Sequence, residues 1–302
     1  MKARYAFESL LAGAGLNALA GLSWPAARRV GAGLGAAVHA LGIRRKVARA
    51  NLALAFPERP YAEREAILAA HYREIGRIAA EYGRMARLAR APVDEVFARR
   101  DGQEHIEPLV GRGALMLSPH FGNFELAAAS LARLNPVDFL VKPMNNPAVE
   151  ARIRRLRSDA GVGVISTQGG VKTMLRALRA GHWIAIIADQ DMGKYGIFVP
   201  FFGRLASTPE GPARLALQTR TPILFGACHR GADGRHRLVV DPPHLPQGDA
   251  SDANVLALTA WHAARLEARV REAPEHWFWL HRRWKTKPPP ANGSEGGRHA
   301  PV

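Results

Sequence analysis

Short apolar runs alternate with helical ones through most of the chain beyond residue 95, and this pattern limits the possible folds more than any other feature. Runs at 114–117, 137–141, 162–166, 182–188, 223–228 and 237–240 read as strands. Between them, 124–134, 148–157 and 171–179 read as helices. Ser207 or Thr208 is expected to cap a further helix with Pro209 near its start, running to Gln218, and Ser251 with Asp252 to cap a long one reaching Glu272. Such alternation predicts an α/β domain with a central mixed sheet flanked by helices.

Upstream, the pattern is helical. In 62–90, Leu68, Tyr72, Ile75, Ala79, Tyr82 and Met85 recur at three and four residues, which predicts one apolar stripe facing a core and a polar face of Glu and Arg. Residues 9–27 carry no charge but are diluted by Gly13, Gly15, Gly21 and Pro25. A spanning helix needs about 20 mostly apolar residues, so this stretch reads as a short anchor that crosses or lies on a membrane. Residues 30–43 form a second uncharged stretch, too short to cross alone. Arg28 and Arg29, then Arg44, Arg45, Lys46 and Arg49, follow the two stretches. These charges suit the cytoplasmic side or anionic headgroups. The expected organisation is a membrane-associated helical segment at 1–45, a main domain at 46–287, and a Pro- and Gly-rich disordered tail at 288–302.

Composition narrows the partners. Formal net charge is +16 in 302 residues, which favours anionic ones. Aromatic content is only 7%, with no zinc-finger or RNP pattern, so base-stacking recognition of nucleic acid is not expected. Cys228 is the single cysteine, which excludes an internal disulfide and fits a buried place in an apolar run.

One stretch concentrates chemistry. The run 114–117 ends at Ser118 and Pro119; His120 follows, then a Gly122-Asn123 turn and Glu125 at the start of a helix. On a continuous helix His120 and Glu125 would lie roughly 140° apart. The turn lets the carboxylate fold back towards the imidazole. There it would fix the tautomer and stabilise the imidazolium of a general base. A helix-capping Glu beside an ordinary loop His is the alternative from spacing alone. Backbone amides near Gly122 and Asn123 are candidate oxyanion donors.

Four stretches together resemble the late acyltransferases of lipid A biosynthesis, within the wider lysophospholipid acyltransferase superfamily. They are Asn51-Leu-Ala-Leu-Ala-Phe-Pro57, His120-Phe-Gly-Asn-Phe-Glu125, Ala188-Asp-Gln-Asp-Met192 with Ile197-Phe-Val-Pro-Phe-Phe-Gly203, and Trp279-Leu-His-Arg-Arg-Trp-Lys-Thr-Lys-Pro288. The resemblance implies transfer of a fatty acyl group from acyl carrier protein to a hydroxyl of a Kdo-bearing lipid A precursor, at the cytoplasmic face of the inner membrane. A sister reaction on another lipid, such as a phosphatidylinositol mannoside or a glycerolipid, is the nearest alternative; a basic non-enzymatic membrane- or nucleic-acid-binding protein is a more distant one. No metal or bound cofactor is implied beyond the carrier's phosphopantetheine thioester. His120 and Glu125 become the expected base and orienter. Arg157 matches a family Arg near the site. Asp189 and Asp191, at a strand exit, are expected to bind substrate, or to serve a structural or Arg-pairing role, with Asp191 the stronger. Arg204 is expected to meet an acceptor phosphate. The apolar run 198–202 is read either as an acyl-tunnel wall or membrane-dipping loop, or as core. Trp277, Trp279 and Trp284, interleaved with Arg282, Arg283, Lys285 and Lys287, suit a headgroup-level surface. His182, His229, His236 and His262 show no metal spacing.

Overall fold

In a computed structural model that describes residues 15 and 18–289, the apolar runs become the strands of a seven-stranded mixed sheet. Its strands are β1 (Phe97–Asp101), β2 (Ala114–Ser118), β3 (Val137–Val141), β4 (Val162–Ser166), β5 (Trp183–Ile187), β8 (Ile223–Arg230) and β9 (His236–Val240). The spatial order is β1-β9-β8-β2-β5-β3-β4, with β8, β2, β5, β3 and β4 mutually parallel and β9 antiparallel to β8. β2 and β5 are central, and their continuous apolar sequences reflect burial on both faces. Leu115, Leu117, Ile184 and Ile186 point into one core; Ala114, Met116, Trp183 and Ala185 point into the other. Each fully buried large side chain here contributes about 1.5–3 kcal/mol.

Most expected helices form, with shifted ends. They are α1 (Trp24–Ala40), α2 (Arg45–Ala55), α3 (Tyr61–Tyr82), α4 (Met85–Arg90), α5 (Val93–Val96), α6 (Gln103–Ile106), α7 (Phe124–Leu131), α8 (Pro147–Asp159), α9 (Gly170–Arg179), α10 (Gly211–Thr219) and α11 (Asp252–Glu272). Three expectations are corrected. The 62–90 helix breaks at Gly83 and Arg84, so α3 and α4 are separate. The expected cap at Ser207 or Thr208 is instead the end of a strand: β6 (Ile197–Phe201) and β7 (Arg204–Thr208) form an antiparallel hairpin, and α10 starts later with Pro212 in its first turn. The polar face of α3 is not wholly solvated, since Glu74 and Glu81 are buried with Leu68, Tyr72 and Ala80.

α1 and α3 meet through small residues. A Cβ at Gly31 or Gly35 would overlap the Gly76 or Tyr72 carbonyl, so only glycine allows this approach. The opposite side of α1 leaves Val30 and Leu34 exposed, with Leu41 and Ile43 just beyond it. Among the described residues no helix is long and apolar enough to cross a membrane. The first part of the proposed anchor and most of the proposed tail lie outside the described residues.

Candidate active site

Parallel pairing brings two residues together that are 69 positions apart. Ser118 on β2 is in register with Ile187 on β5. Two residues past each strand end stand His120 and Asp189, at the carboxyl edge where open α/β sheets gather functional groups. His120 Nδ1 lies 2.6 Å from Asp189 Oδ1, and the His120 backbone N–H donates to Asp189 Oδ2 at 2.8 Å. Trp277 Nε1 donates to the same Oδ2 at 2.9 Å. The Asp189 side chain is 2% exposed and that of His120 31%. With Nδ1–H held by the carboxylate, Nε2 is the basic nitrogen, and it meets no protein partner among the described residues. Burial works to raise the Asp189 carboxyl, but the imidazole's charge and three hydrogen bonds outweigh it and bring it down to about 2. Burial likewise works against protonation of His120, and the charges of Asp189 and Glu125 with the Asp189 hydrogen bond reverse this, so its pKa is raised.

The orienter expected from sequence is therefore corrected. Glu125 does sit in the first turn of α7, but its carboxylate turns to Arg157, accepting from Nε at 2.9 Å and Nη2 at 2.5 Å. Tyr82 Oη donates to it at 3.4 Å. A planar guanidinium offers two parallel donors, which an imidazole cannot. Arg157 also lies over the Phe139 ring at 4.6 Å. Of the basic run on α8, Arg157 is directed inward, while Arg154 and Arg155 are exposed.

The other expected residues separate. Asp191 is a clasp for the C-terminal segment: it accepts from the Thr286 backbone N–H at 3.0 Å, Thr286 Oγ1 at 2.8 Å and the Gly193 N–H at 2.9 Å. Among the described residues neither Asp189 nor Asp191 takes an Arg side chain in an ion pair; Asp191 serves structure, and Asp189 is the one that meets His120. Arg204 is exposed at the hairpin tip. Among the described residues it makes no hydrogen bond or ion pair with His120, Asp189 or Glu125. Val199, Phe201 and Phe202 are core residues, with Phe201 stacked on Trp284 at 5.5 Å. The C-terminal tryptophans face inward too, since Trp277, Trp279 and Trp284 are at most 5% exposed.

That C-terminal segment is a strap across the His120 loop. The Phe278 N–H donates to His120 O at 3.0 Å, and the Gly122 N–H to His276 O at 2.8 Å. Asn51 Nδ2 donates to the carbonyls of Trp279 and His281. The early, central and late sequence motifs thus close on one another. The bond from the Gly122 N–H to His276 O removes one expected oxyanion donor. Gly122 has φ +53, and a Cβ there would overlap the Cys228 carbonyl. Sequence inspection missed the roles of Asp189, Trp277 and Asn51. The available signal for Asp189 was its place at the exit of the run 182–188, as His120 stands at the exit of the run 114–117.

Beside the pair, an apolar cavity of about 40 Å³ runs between α7 and the sheet. Ser118, Phe124, Ala127, Ala128, Leu131 and Phe139 are among the residues that line it. The Phe124 ring stands edge-on to His120 at 5.4 Å. Among the described residues no cluster of three or more His, Cys, Asp or Glu could hold a metal.

Comparison with known proteins gives the chain its relatives. The family model "Bacterial lipid A biosynthesis acyltransferase" matches residues 2–286. Relatives include the lipid A biosynthesis lauroyltransferase of Escherichia coli, 31% identical over 278 residues, covering 88% of each chain. The lipid A biosynthesis palmitoleoyltransferase of the same organism is 28% identical over 81% of this chain and 80% of its own. The phosphatidylinositol mannoside acyltransferase of Mycolicibacterium smegmatis is 27% identical over 72% of this chain and 69% of its own.

Proposed function

Because this chain belongs to the bacterial lipid A biosynthesis acyltransferase family, we propose that it moves a fatty acyl group from acyl carrier protein to a hydroxyl of a Kdo-bearing lipid A precursor, with His120 as general base. The observation that carries this reading is the His120–Asp189 pair, with its free Nε2 beside an apolar cavity. Asp189 holds the tautomer and stabilises the imidazolium that forms when Nε2 takes the acceptor hydroxyl proton. The alkoxide attacks the thioester carbonyl, and the thiol of the carrier leaves after collapse of the tetrahedral intermediate. Arg157, fixed by Glu125, and the first-turn amides of Phe124 and Glu125 on α7, which face no helical carbonyl, are the groups suited to the oxyanion. The cavity is lined by Ala and apolar side chains, and an acyl chain enlarges it by parting α7 from the sheet. The net charge of +16 suits an acidic carrier and a phosphorylated acceptor. Chemistry needs no bound cofactor beyond the carrier's thioester.

Relatives named for phosphatidylinositol mannoside acylation keep a second acceptor in view. The test offers purified protein both acceptors with acyl carrier thioesters and reads products by mass spectrometry. Transfer to the lipid A precursor, absent in His120→Ala, is the expected result. Transfer to the mannoside alone would overturn the acceptor assignment, and no transfer to either would overturn acyl transfer itself.

We place the enzyme on the cytoplasmic face of the inner membrane. Val30, Leu34, Leu41 and Ile43 are exposed near the basic residues Arg44 and Lys46, an arrangement suited to an anionic surface. Flotation with anionic vesicles should fall for Leu34→Glu/Leu41→Glu. Unchanged flotation would remove this contact.

A further inference from the structure

Glu81, which the sequence pattern assigns to a solvated helix face, is the most heavily bonded carboxylate away from His120. Its side chain is 0% exposed. Arg230 donates to Oε1 from Nη1 at 2.7 Å and to Oε2 from Nη2 at 2.9 Å. Trp24 Nε1 on α1 donates to Oε1 at 3.0 Å, and His236 Nε2 on β9 lies 3.1 Å from Oε2. Burial works to raise this carboxyl, and the charges and hydrogen bonds of His236 and Arg230 hold it far below the usual carboxylate range. A carboxylate kept ionised in the core is costly unless its geometry does something that an apolar residue would not.

The remaining bond indicates what that is. Asn123 Nδ2 donates to Glu81 Oε2 at 2.9 Å, while Asn123 Oδ1 accepts from the Leu126 N–H at 3.0 Å. Asn123 is the N-cap of α7 and lies between His120 and Glu125. An amide side chain can rotate its oxygen and nitrogen ends, and a capping oxygen must face the helix. Glu81 takes the NH₂ end and so leaves the oxygen for the cap. We propose that Glu81 is a positioning residue for acyl transfer: through Asn123 it locks the start of α7, and with it the placement of Glu125–Arg157 relative to His120. The lock ties the reaction centre to α1, α3 and β9, which do not themselves reach His120. It rests on the acyl-transfer reading for its effect on rate, but not for its effect on the helix start.

The test is an exchange of the two groups. Asn123→Asp keeps a good cap but sets a second carboxylate against Glu81, where two neighbouring charges cannot both persist. Glu81→Gln/Asn123→Asp again sets a donor against an acceptor and keeps the local charge; His236 can invert its tautomer, Arg230 Nη1 keeps its acceptor, and Arg230 Nη2 alone loses the one it had at Oε2. In Asn123→Asp, turnover should fall by ~10²-fold, the scale of a small misplacement at a reaction centre, with KM little changed. Amides of 124–128 should exchange with deuterium faster. The double variant should recover much of both. A folded Asn123→Asp with normal turnover and exchange would overturn the proposal, and so would a double variant no better than the single one. If Asn123→Asp does not fold, Asn123→Ser keeps a cap oxygen and loses the donor to Glu81. It should show the same fall, and full turnover in it would overturn the proposal. Absence of acyl transfer by the unmodified protein would refute the acyl-transfer reading alone, with the exchange measurements still deciding the lock.

Discussion

His120 and His182 each set Nδ1 against an aspartate, at 2.6 Å and 2.7 Å, and their side chains are similarly exposed, at 31% and 35%. They stand at opposite ends of one sheet. His120 follows β2, whereas His182 precedes β5 and meets Asp138 near the start of β3. The partners differ. Asp138 is 18% exposed and Asp189 2%. Asp189 also receives the His120 backbone N–H and the Trp277 indole, so both of its oxygens are fixed. Beside His120 lies the apolar cavity, whose Phe139 carries Arg157 of the Glu125–Arg157 pair over its ring. A His–Asp contact is therefore not a site in itself. A dry, over-determined carboxylate turns one into a directed base, because electrostatic interactions strengthen as water is excluded.

The sharpest way to break this contrast is to neutralise both aspartates. Asp189→Asn removes the charge that stabilises the imidazolium and lets the ring adopt the wrong tautomer. Turnover should fall by on the order of 10⁴. Adding His120→Ala should cost little more, since the two act as one unit. Asp138→Asn should stay within about twofold, as surface changes do. Similar losses at both positions, read in the same acyl-transfer assay, would erase the distinction.

A second test separates the roles of the two buried carboxylates near His120. Glu125→Ala leaves the Arg157 guanidinium buried without its partner, at a cost of about 3–5 kcal/mol in urea unfolding. Removing Asp138 from His182 should cost about 1 kcal/mol or less. Turnover by Glu125→Ala should also drop, because Arg157 is released. Full activity in a destabilised Glu125→Ala would mean that this pair is purely structural.

Acid dependence should show the smallest effects. His120 must be neutral to accept a proton, and its pKa is raised. The acid limb of kcat/KM is thus expected above the ordinary imidazole value of about 6.5, and it should move to lower pH in Asp189→Asn. Stability adds a separate signal from His71 and His262, which burial lowers to about 4. Between about 6.5 and 4 the unfolded chain takes up protons at these positions that the folded one does not. Stability should then be fully present above that window and decline as pH falls through it. His71→Phe should shallow the decline in denaturation midpoints, and an unchanged slope would assign the loss to other groups.

Much of the sheet was legible because strands buried on both faces must be apolar throughout. The runs 137–141 and 162–166 match β3 and β4 end to end. The β6–β7 hairpin was not legible, since its run 198–202 reads as a loop or a tunnel wall until β7 pairs with it. Ser207 and Thr208 have the chemistry of caps but here end that strand. Likewise Glu81 is a charge on a helix, and nothing local says that Arg230, 149 residues later, is waiting for it.

By itself the sequence determined the layering of the domain, the placement of His120 at a strand exit and of Glu125 in the next helical turn, and the family. These follow from periodicity, turn residues and motif, all of which are local. Tertiary structure decided the partners. The carboxylate that holds His120 is Asp189 because β2 and β5 lie side by side in register. Glu125 belongs to Arg157 because α8 delivers a two-donor guanidinium that suits it better than an imidazole does. A side chain's neighbours are set by strand order and packing, and a single chain read in order carries no measure of either.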